Sequence, residues 1–239
     1  MTAPGTLYLV PTALGGDPAA VVPSSTLSRL HLLRYFVVEN EKSARRFLKA
    51  ASYPHPLRQV RMQTLDEHTG NSMLPALLAP VLQGQDCGLL SEAGCPAIAD
   101  PGAPLIRLAH ERGIQVVPLV GPSAVLLALM ASGLNGQRFA FHGYLPVQSD
   151  RRRTRLAALE SDSRRFDRTE IFIETPYRND AVFRALLETC SDDTLVCVAT
   201  ELSTPTESVH TRPVKAWRNA PPWLDRRPTV FLLYAAQKR

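Results

Sequence analysis

Short runs of apolar, β-prone residues recur along the first half of the chain. Between them lie segments whose apolar residues return every three or four positions. Thr6-Leu-Tyr-Leu-Val10, Tyr35-Phe-Val-Val38, Val60–Leu65, Cys87-Gly-Leu-Leu90 and Ile114-Gln-Val-Val117 read as strands, the first closed by Pro11. A helix is expected after Asn40, a capping residue, with Ala44, Phe47, Leu48 and Ala51 on one face and Glu41 and Arg45 at i, i+4. Further helices are expected over Met73–Leu82, over Leu105–Arg112 ending at Gly113, and over Ser123–Ser132 ending at Gly133. Strands that alternate with helices of this length imply βαβ units and a mainly parallel sheet.

The second half follows another pattern. Strands are expected at Phe139–Gly143, Glu170–Ile173, Leu195–Thr200 and Val230–Ala235, with little helix between Asp193 and Arg239. Thr175-Pro176 reads as a helix start, Thr as N-cap and Pro at the first position, with Tyr177, Ala181, Val182, Ala185 and Leu186 on one face. A partly antiparallel sheet fits this region. The fold class is therefore α/β with two domains, 1–120 with a mainly parallel sheet and 121–239 with a mixed one, the boundary lying near Gly121.

Composition changes this picture little. With 45% hydrophobic and 21% charged residues in 239, the chain has material for two cores and is not of the disordered class. The longest nearly unbroken apolar stretch, Ala124–Ala131, falls far short of the roughly 20 residues of a membrane span. Met1–Gly5 lacks the basic and apolar segments of a secretory signal, so a cytoplasmic protein with no membrane partner is expected. Four cysteines without C-x-x-C spacing point to buried thiols rather than to a metal site or a disulfide framework.

The net charge of +5 is uneven. Residues 121–239 hold seventeen Lys/Arg against thirteen Asp/Glu, and Arg151, Arg152, Arg153 and Arg155 are clustered. Such a cluster can neutralise phosphates, or it can be a solvated helix face balanced by Asp150, Glu160, Asp162 and Asp167.

Ligands of open α/β sheets bind beyond the carboxyl ends of the strands. Three loops at that edge, Pro11–Gly16, Ser91–Gly102 and Pro118–Ala124, are rich in Gly, Ala, Ser and Pro. Small residues let backbone approach a ligand, and Ser123 opens a helix whose free N–H groups favour a polar or anionic group. Glu92 and Asp100 could bond a ribose or an amino group, or offset a sulfonium charge. Asp100-Pro-Gly102 is also a turn signature. No G-x-G-x-x-G, G-x-x-x-x-G-K-[ST] or G-x-S-x-G occurs, which sets aside a standard dinucleotide site, a P-loop and a serine hydrolase elbow.

Together these segments resemble the S-adenosylmethionine-dependent tetrapyrrole methylase superfamily, and within it the branch that includes the 16S ribosomal RNA cytidine 2′-O-methyltransferase. The resemblance is carried by Leu7-Tyr-Leu-Val-Pro-Thr12, Leu90-Ser-Glu-Ala-Gly-Cys-Pro96 with Asp100-Pro-Gly102, and Val117-Pro-Leu-Val-Gly-Pro-Ser-Ala124. Gly143-Tyr-Leu-Pro146, Ile173-Glu174 with Arg178, and Glu201-Leu with Glu207 add to it. It implies a class III methyltransferase fold with S-adenosyl-L-methionine in an interdomain cleft, and a homodimer. The implied cofactor residues are Pro11, Ser91, Glu92, Ala93, Gly94, Asp100, Ser123 and Ala124, then Tyr144, Leu145, Glu174, Ala199, Pro228, Thr229 and Val230. Glu92 stands where the branch commonly has Asp, and Glu39-Asn-Glu-Lys42 where it has Glu-Asp-Thr-Arg.

The acceptor implied is an RNA ribose, with a small tetrapyrrole-like molecule as the alternative. A non-catalytic nucleoside-binding module is the reading outside enzymes. His68, on the loop after the third strand, and Glu39, after the second, are the candidate catalytic residues.

Overall fold

The computed structural model describes residues 3–235. The chain divides into two compact units, Met1–Ser123 and Ala124–Arg239. The first contains β1 (Thr6–Val10), α1 (Pro18–Val21), α2 (Ser24–Leu32), β2 (Tyr35–Val38), α3 (Glu41–Ala50), β3 (Arg61–Thr64), α4 (Leu74–Leu82), β4 (Cys87–Leu90), α5 (Ala103–Glu111) and β5 (Gln115–Pro118). Its five strands form one sheet in the order β3-β2-β4-β1-β5, every pair parallel. As expected of a parallel sheet covered on both faces, all residues of β2 and β4 are buried. Successive side chains alternate sides, so Tyr35 and Val37 join the core with Leu77, Leu78 and Leu105. Phe36 and Val38 join the one with Leu30 and Leu48. The buried Tyr35 hydroxyl donates to the carbonyl of Leu77 at 2.7 Å and bonds Gln63. Asn40 caps α3 as its sequence implies, its Oδ1 accepting from the N–H groups of Lys42 and Ser43 at 2.9 and 3.2 Å.

The second unit contains α6 (Ala124–Ser132), β6 (Phe139–Tyr144), α7 (Ser149–Phe166), β7 (Thr169–Glu174), α8 (Asn179–Thr189), β8 (Leu195–Thr200), β9 (Ser208–Pro213), α9 (Val214–Asn219) and β10 (Thr229–Tyr234). Its sheet runs β6-β7-β10-β8-β9; only β6 and β7 are parallel, and the other pairs are antiparallel. The core stacks Phe172 on Phe231 with ring centroids 5.6 Å apart, and Trp217 meets Phe183 edge-on. Among the described residues no helix is long and apolar enough to cross a membrane.

Two local expectations are corrected. Thr175 does not cap a helix: its hydroxyl and N–H donate to Glu174 Oε1, and Pro176–Arg178 is a single 3₁₀ turn. The α-helix starts three residues later, at Asn179, which turns Tyr177 and Ala181 outward and brings Phe183 in beside Val182, Ala185 and Leu186. The arginine cluster, second, lies on α7 and is largely spent inside the protein. Arg152 is buried and donates to the carbonyl of Val147 at 3.0 Å, Arg153 pairs with Glu188 at 2.7 Å, and Arg155 donates to His142 Nδ1 at 3.0 Å. Arg151 alone of the four has no partner among the described residues. His142 in turn meets the fully buried Glu170 at 2.5 Å, and Glu170 also accepts from Arg168 Nε at 2.6 Å.

Candidate functional site

The order β4-β1-β5 makes the loops that follow these three strands neighbours, and the backbone ties them together. Thr12 and Gly94 exchange N–H···O=C bonds of 2.9 and 3.2 Å, joining the first loop to the second. The Ser91 hydroxyl donates back to the Gly94 carbonyl at 2.9 Å. Cys95 Sγ reaches the carbonyl of Pro122 in the third loop at 3.4 Å, and the Thr26 hydroxyl holds the carbonyl of Val120 at 2.7 Å. Gly121 lies so close to Pro11 that a Cβ there would sit 2.3 Å from the proline's own. Pro11, Ser91 and Gly94 are buried in this junction, Ser123 is half-buried at its far end, and Ala124 is the first residue of α6. Ala93 and Glu92 face solvent.

The second loop is held in an uncommon conformation. Gly94, Ala97 and Ala99 have φ of +78°, +65° and +63°. Left-handed alanines cost on the order of 1–2 kcal/mol each and persist only where the surroundings impose them, as at ligand-binding loops. Asp100 does part of the imposing: its Oδ1 accepts from the N–H of Ala97 at 2.7 Å and of Gly102 at 2.9 Å. That oxygen serves the turn, so ligand binding by Asp100 is left to the field of its charge and its other oxygen.

Carboxylates gather at the same edge. Glu39, at the end of β2, is half-buried, and its pKa is raised by burial, then by the charges of Glu92 and Asp100. Asp100 is raised too, chiefly by burial. Glu92 accepts from the Ser43 hydroxyl at 2.9 Å. Burial and neighbouring charge thus disfavour the anionic form of Glu39, and burial that of Asp100. The linkage has a definite sign: a raised carboxyl pKa means that the folded state holds its proton more tightly than the unfolded chain. Glu39 therefore destabilises the fold at neutral pH and stops doing so as the pH falls through its raised pKa. Glu39→Gln is expected to raise the melting temperature at neutral pH, with the gap to wild type closing on acidification. Thermal melts at stepped pH check this, and a lowered neutral-pH midpoint in the variant refutes it.

His68 is placed differently from what a catalytic role needs. Its side chain is 84% exposed and its nearest charged partner is its neighbour Glu67 at 3.6 Å. The turn that carries it is closed by Asp66 and Thr69, with the His68 N–H donating to Asp66 Oδ1 at 3.0 Å. Nothing among the described residues orients the ring.

In the second unit the implied residues converge on one end of the sheet. Thr229 is in register with both Glu174 and Thr200, Val230 with Ala199, and Tyr144 with Ile173. Leu145, Ala199 and Val230 are buried, Tyr144 is half exposed, and Pro228 accepts from the N–H of Glu201 at 2.9 Å. Glu174 is buried against Arg178 at 2.7 Å, a close charge contact whose angle is not that of a hydrogen bond. Asn179 was not singled out by sequence, having no motif around it. It is fully buried, donates to the carbonyl of Arg227 at 2.7 Å and to Thr229 Oγ1 at 3.1 Å, and leaves its own Oδ1 without a donor among the described residues.

This architecture has known counterparts. The methyltransferase CobJ superposes with a TM-score of 0.65 over 97% of this chain and 94% of its own, at 18% identity, a likeness that shows the fold. A uroporphyrin-III C-methyltransferase from Thermus thermophilus, solved with S-adenosyl homocysteine, superposes with a TM-score of 0.58 at 15% identity, covering 96% of this chain and 97% of that one. The sequence matches the family described as Tetrapyrrole (Corrin/Porphyrin) Methylases over residues 19–216. The chain belongs to the tetrapyrrole methylase family.

Family relatives share more of the sequence than these structures do. The ribosomal RNA small subunit methyltransferase I of Escherichia coli O157:H7 is 34% identical over 210 residues, 88% of this chain and 70% of that protein. Its counterpart from Mesorhizobium japonicum is also 34% identical, over 88% of this chain and 68% of its own length. As a tetrapyrrole methylase the chain is an S-adenosylmethionine-dependent methyltransferase, which disfavours the non-catalytic nucleoside-binding reading.

Proposed function

We propose that this methyltransferase transfers the methyl group of S-adenosylmethionine to a ribose 2′-hydroxyl of small-subunit ribosomal RNA, in the cytoplasm. The observation that carries the reading is the 34% identity, across 88% of the chain, to a relative named for that RNA. The structural counterparts share its fold at 18% identity or less, so they lend no support to a tetrapyrrole-like acceptor.

When bound, the cofactor supplies an electrophilic methyl carbon on a positively charged sulfur. In this reading the joined loops hold it: Pro11 and Gly94 let backbone come close, Ser91, Ala93, Ser123 and Ala124 line it with small groups, and Glu92, Asp100 and Glu39 supply negative potential. The fit rests on the left-handed backbone of Gly94, Ala97 and Ala99 and on the half-buried Glu39, which the charges of Glu92 and Asp100 disfavour as an anion and which a cation would relieve. Glu174, Thr229 and the backbone of Tyr144, Leu145, Ala199, Pro228 and Val230 are assigned by family resemblance. Of the two candidate bases, Glu39 has the raised pKa that suits removal of a hydroxyl proton, and His68 has no orienting partner. A homodimer is part of the proposal by family resemblance, and Met130, which α6 exposes at 79%, fits it.

The test is direct. Purified protein, tritiated S-adenosylmethionine and small ribosomal subunits from cells lacking the enzyme are expected to give label in RNA, recovered as a 2′-O-methylnucleoside on digestion. Label confined to small-molecule acceptors, with none in RNA, would refute the RNA reading and leave the methyltransferase assignment standing.

A further inference from the structure

A cavity of about 320 Å³ opens in the second unit at the edge strand β9, on the sheet face that carries α9. It is built by alternate residues of β8 and β9, the buried indole of Trp217 on α9, and the segment 220–227. None of the residues assigned to cofactor lines it. Its volume is at the lower end of the roughly 300–1,000 Å³ of small-ligand pockets.

Its chemistry is specific. The lining holds His210, Arg212 and Arg227 and no carboxylate. Glu201, the nearby acid, accepts from Arg227 Nε and Nη2 at 2.9 and 2.7 Å through Oε2, and it makes no ion pair with Arg212 among the described residues. Arg212 lies over the Trp217 ring at 4.9 Å and has no hydrogen-bond acceptor among the described residues. Arg218, by contrast, meets Asp192, and Arg153 meets Glu188. At the rim Trp223 is 72% exposed, with Arg227 at 5.6 Å over one face of its ring. An exposed indole braced from one side, beside a guanidinium that lacks an anion, is the arrangement by which single-stranded RNA is held. A base stacks on the ring, and its phosphate meets the cation.

We propose that this pocket binds one unpaired nucleotide of the RNA substrate, the base stacking on Trp223 and the phosphate meeting Arg212 and His210. The proposal deepens the RNA reading above and rests on it. Stacking explains why a large apolar ring stays in water, and the phosphate explains an Arg212 without an anion in a lining whose other polar side chains include the hydroxyls of Thr200 and Ser208.

The experiment uses the full chain and a fluorescein-labelled, unstructured 12-nucleotide RNA, with anisotropy read across a salt series and S-adenosylhomocysteine affinity measured in parallel. Trp223→Ala is expected to weaken RNA binding by about fivefold or more, the lower bound for loss of one stacked base, and Trp223→Phe to retain most of the affinity. Arg212→Gln is expected to lower the salt slope by about 0.7, the share of one phosphate on a single strand, and Arg212→Lys to restore it. Cofactor affinity and melting temperature should not move in any of the four.

RNA affinity and salt slope unchanged in both Trp223→Ala and Arg212→Gln would overturn the pocket and leave the RNA reading intact. A wild-type chain that binds no RNA would overturn both. Equal, Trp223-dependent binding of a poly-glutamate peptide would overturn the nucleotide in favour of an acidic protein segment.

Discussion

Replacing Ala93 with leucine is expected to weaken S-adenosylhomocysteine binding on the order of 100-fold, about 2.7 kcal/mol, while the protein melts as wild type does. Ala93 is exposed, and its neighbours Ser91 and Gly94 carry the bonds that join the loops, so added bulk at 93 fills the proposed ligand space without touching them. Surface changes of this kind usually stay within about 0.5 kcal/mol of stability. Gly94→Val is a poor substitute. At φ +78° a side chain is strained, and its Cβ would stand 3.1 Å from Leu14 Cδ2, so lost binding would be mixed with lost folding. Calorimetric titration and a thermal melt on Ala93→Leu separate the two effects. An affinity within about threefold of wild type, well under 1 kcal/mol, would remove this loop from the cofactor site.

The largest effect on stability is expected at Glu170. Its carboxylate is fully buried between His142 at 2.5 Å and Arg168 at 2.6 Å, with Arg155 behind His142 and Asp162 at 3.3 Å from Arg168. Glu170→Ala takes the buried carboxylate away from the Arg168 guanidinium and from the His142 ring, and the expected cost is about 3 kcal/mol, the low end for a broken buried pair, because Arg168 keeps Asp162. Glu188→Ala, which breaks the exposed pair with Arg153, is the control, with an expected cost of about 0–1 kcal/mol. Urea unfolding of both variants decides it. A Glu170→Ala loss no larger than the control's would mean that the network is solvated and contributes little.

Both sites bear on what could be read from residues alone. The parallel strands were legible as short apolar runs, and the central ones, Tyr35–Val38 and Cys87–Leu90, buried on both faces, have few other ways to satisfy their side chains. The three loops were legible because small residues and prolines follow β1, β4 and β5 in turn. Strand order, which makes them neighbours, is a long-range property that periodicity does not carry.

The arginine cluster shows the opposite case. Asp, Glu and Arg along 149–168 look alike whether they face water or one another, and the buried side of α7 sets only Leu156 and Leu159 beside the polar Arg152, Glu160 and Ser163. The destinations of Arg152 and Arg155 are set by Val147 and by His142, residues on other elements. β9 escaped for a related reason: as an edge strand with Ser208, His210 and Arg212 on one side, it lacks an apolar alternation.

The cysteines of the fold have a practical consequence. Cys87, Cys190 and Cys197 are buried, and burial pushes the Cys190 thiol up to about 12 and those of Cys87 and Cys197 upward as well. Thiolate is the reactive form, so alkylating reagents at moderate pH should pass these three by. Burial raises the Cys95 thiol too, but Cys95 is only half-buried and so within reach of a reagent, at the junction of the second and third loops against Pro122. The native chain thus offers a single labelling position, without engineering, at the point where an environment-sensitive dye would register a ligand entering those loops.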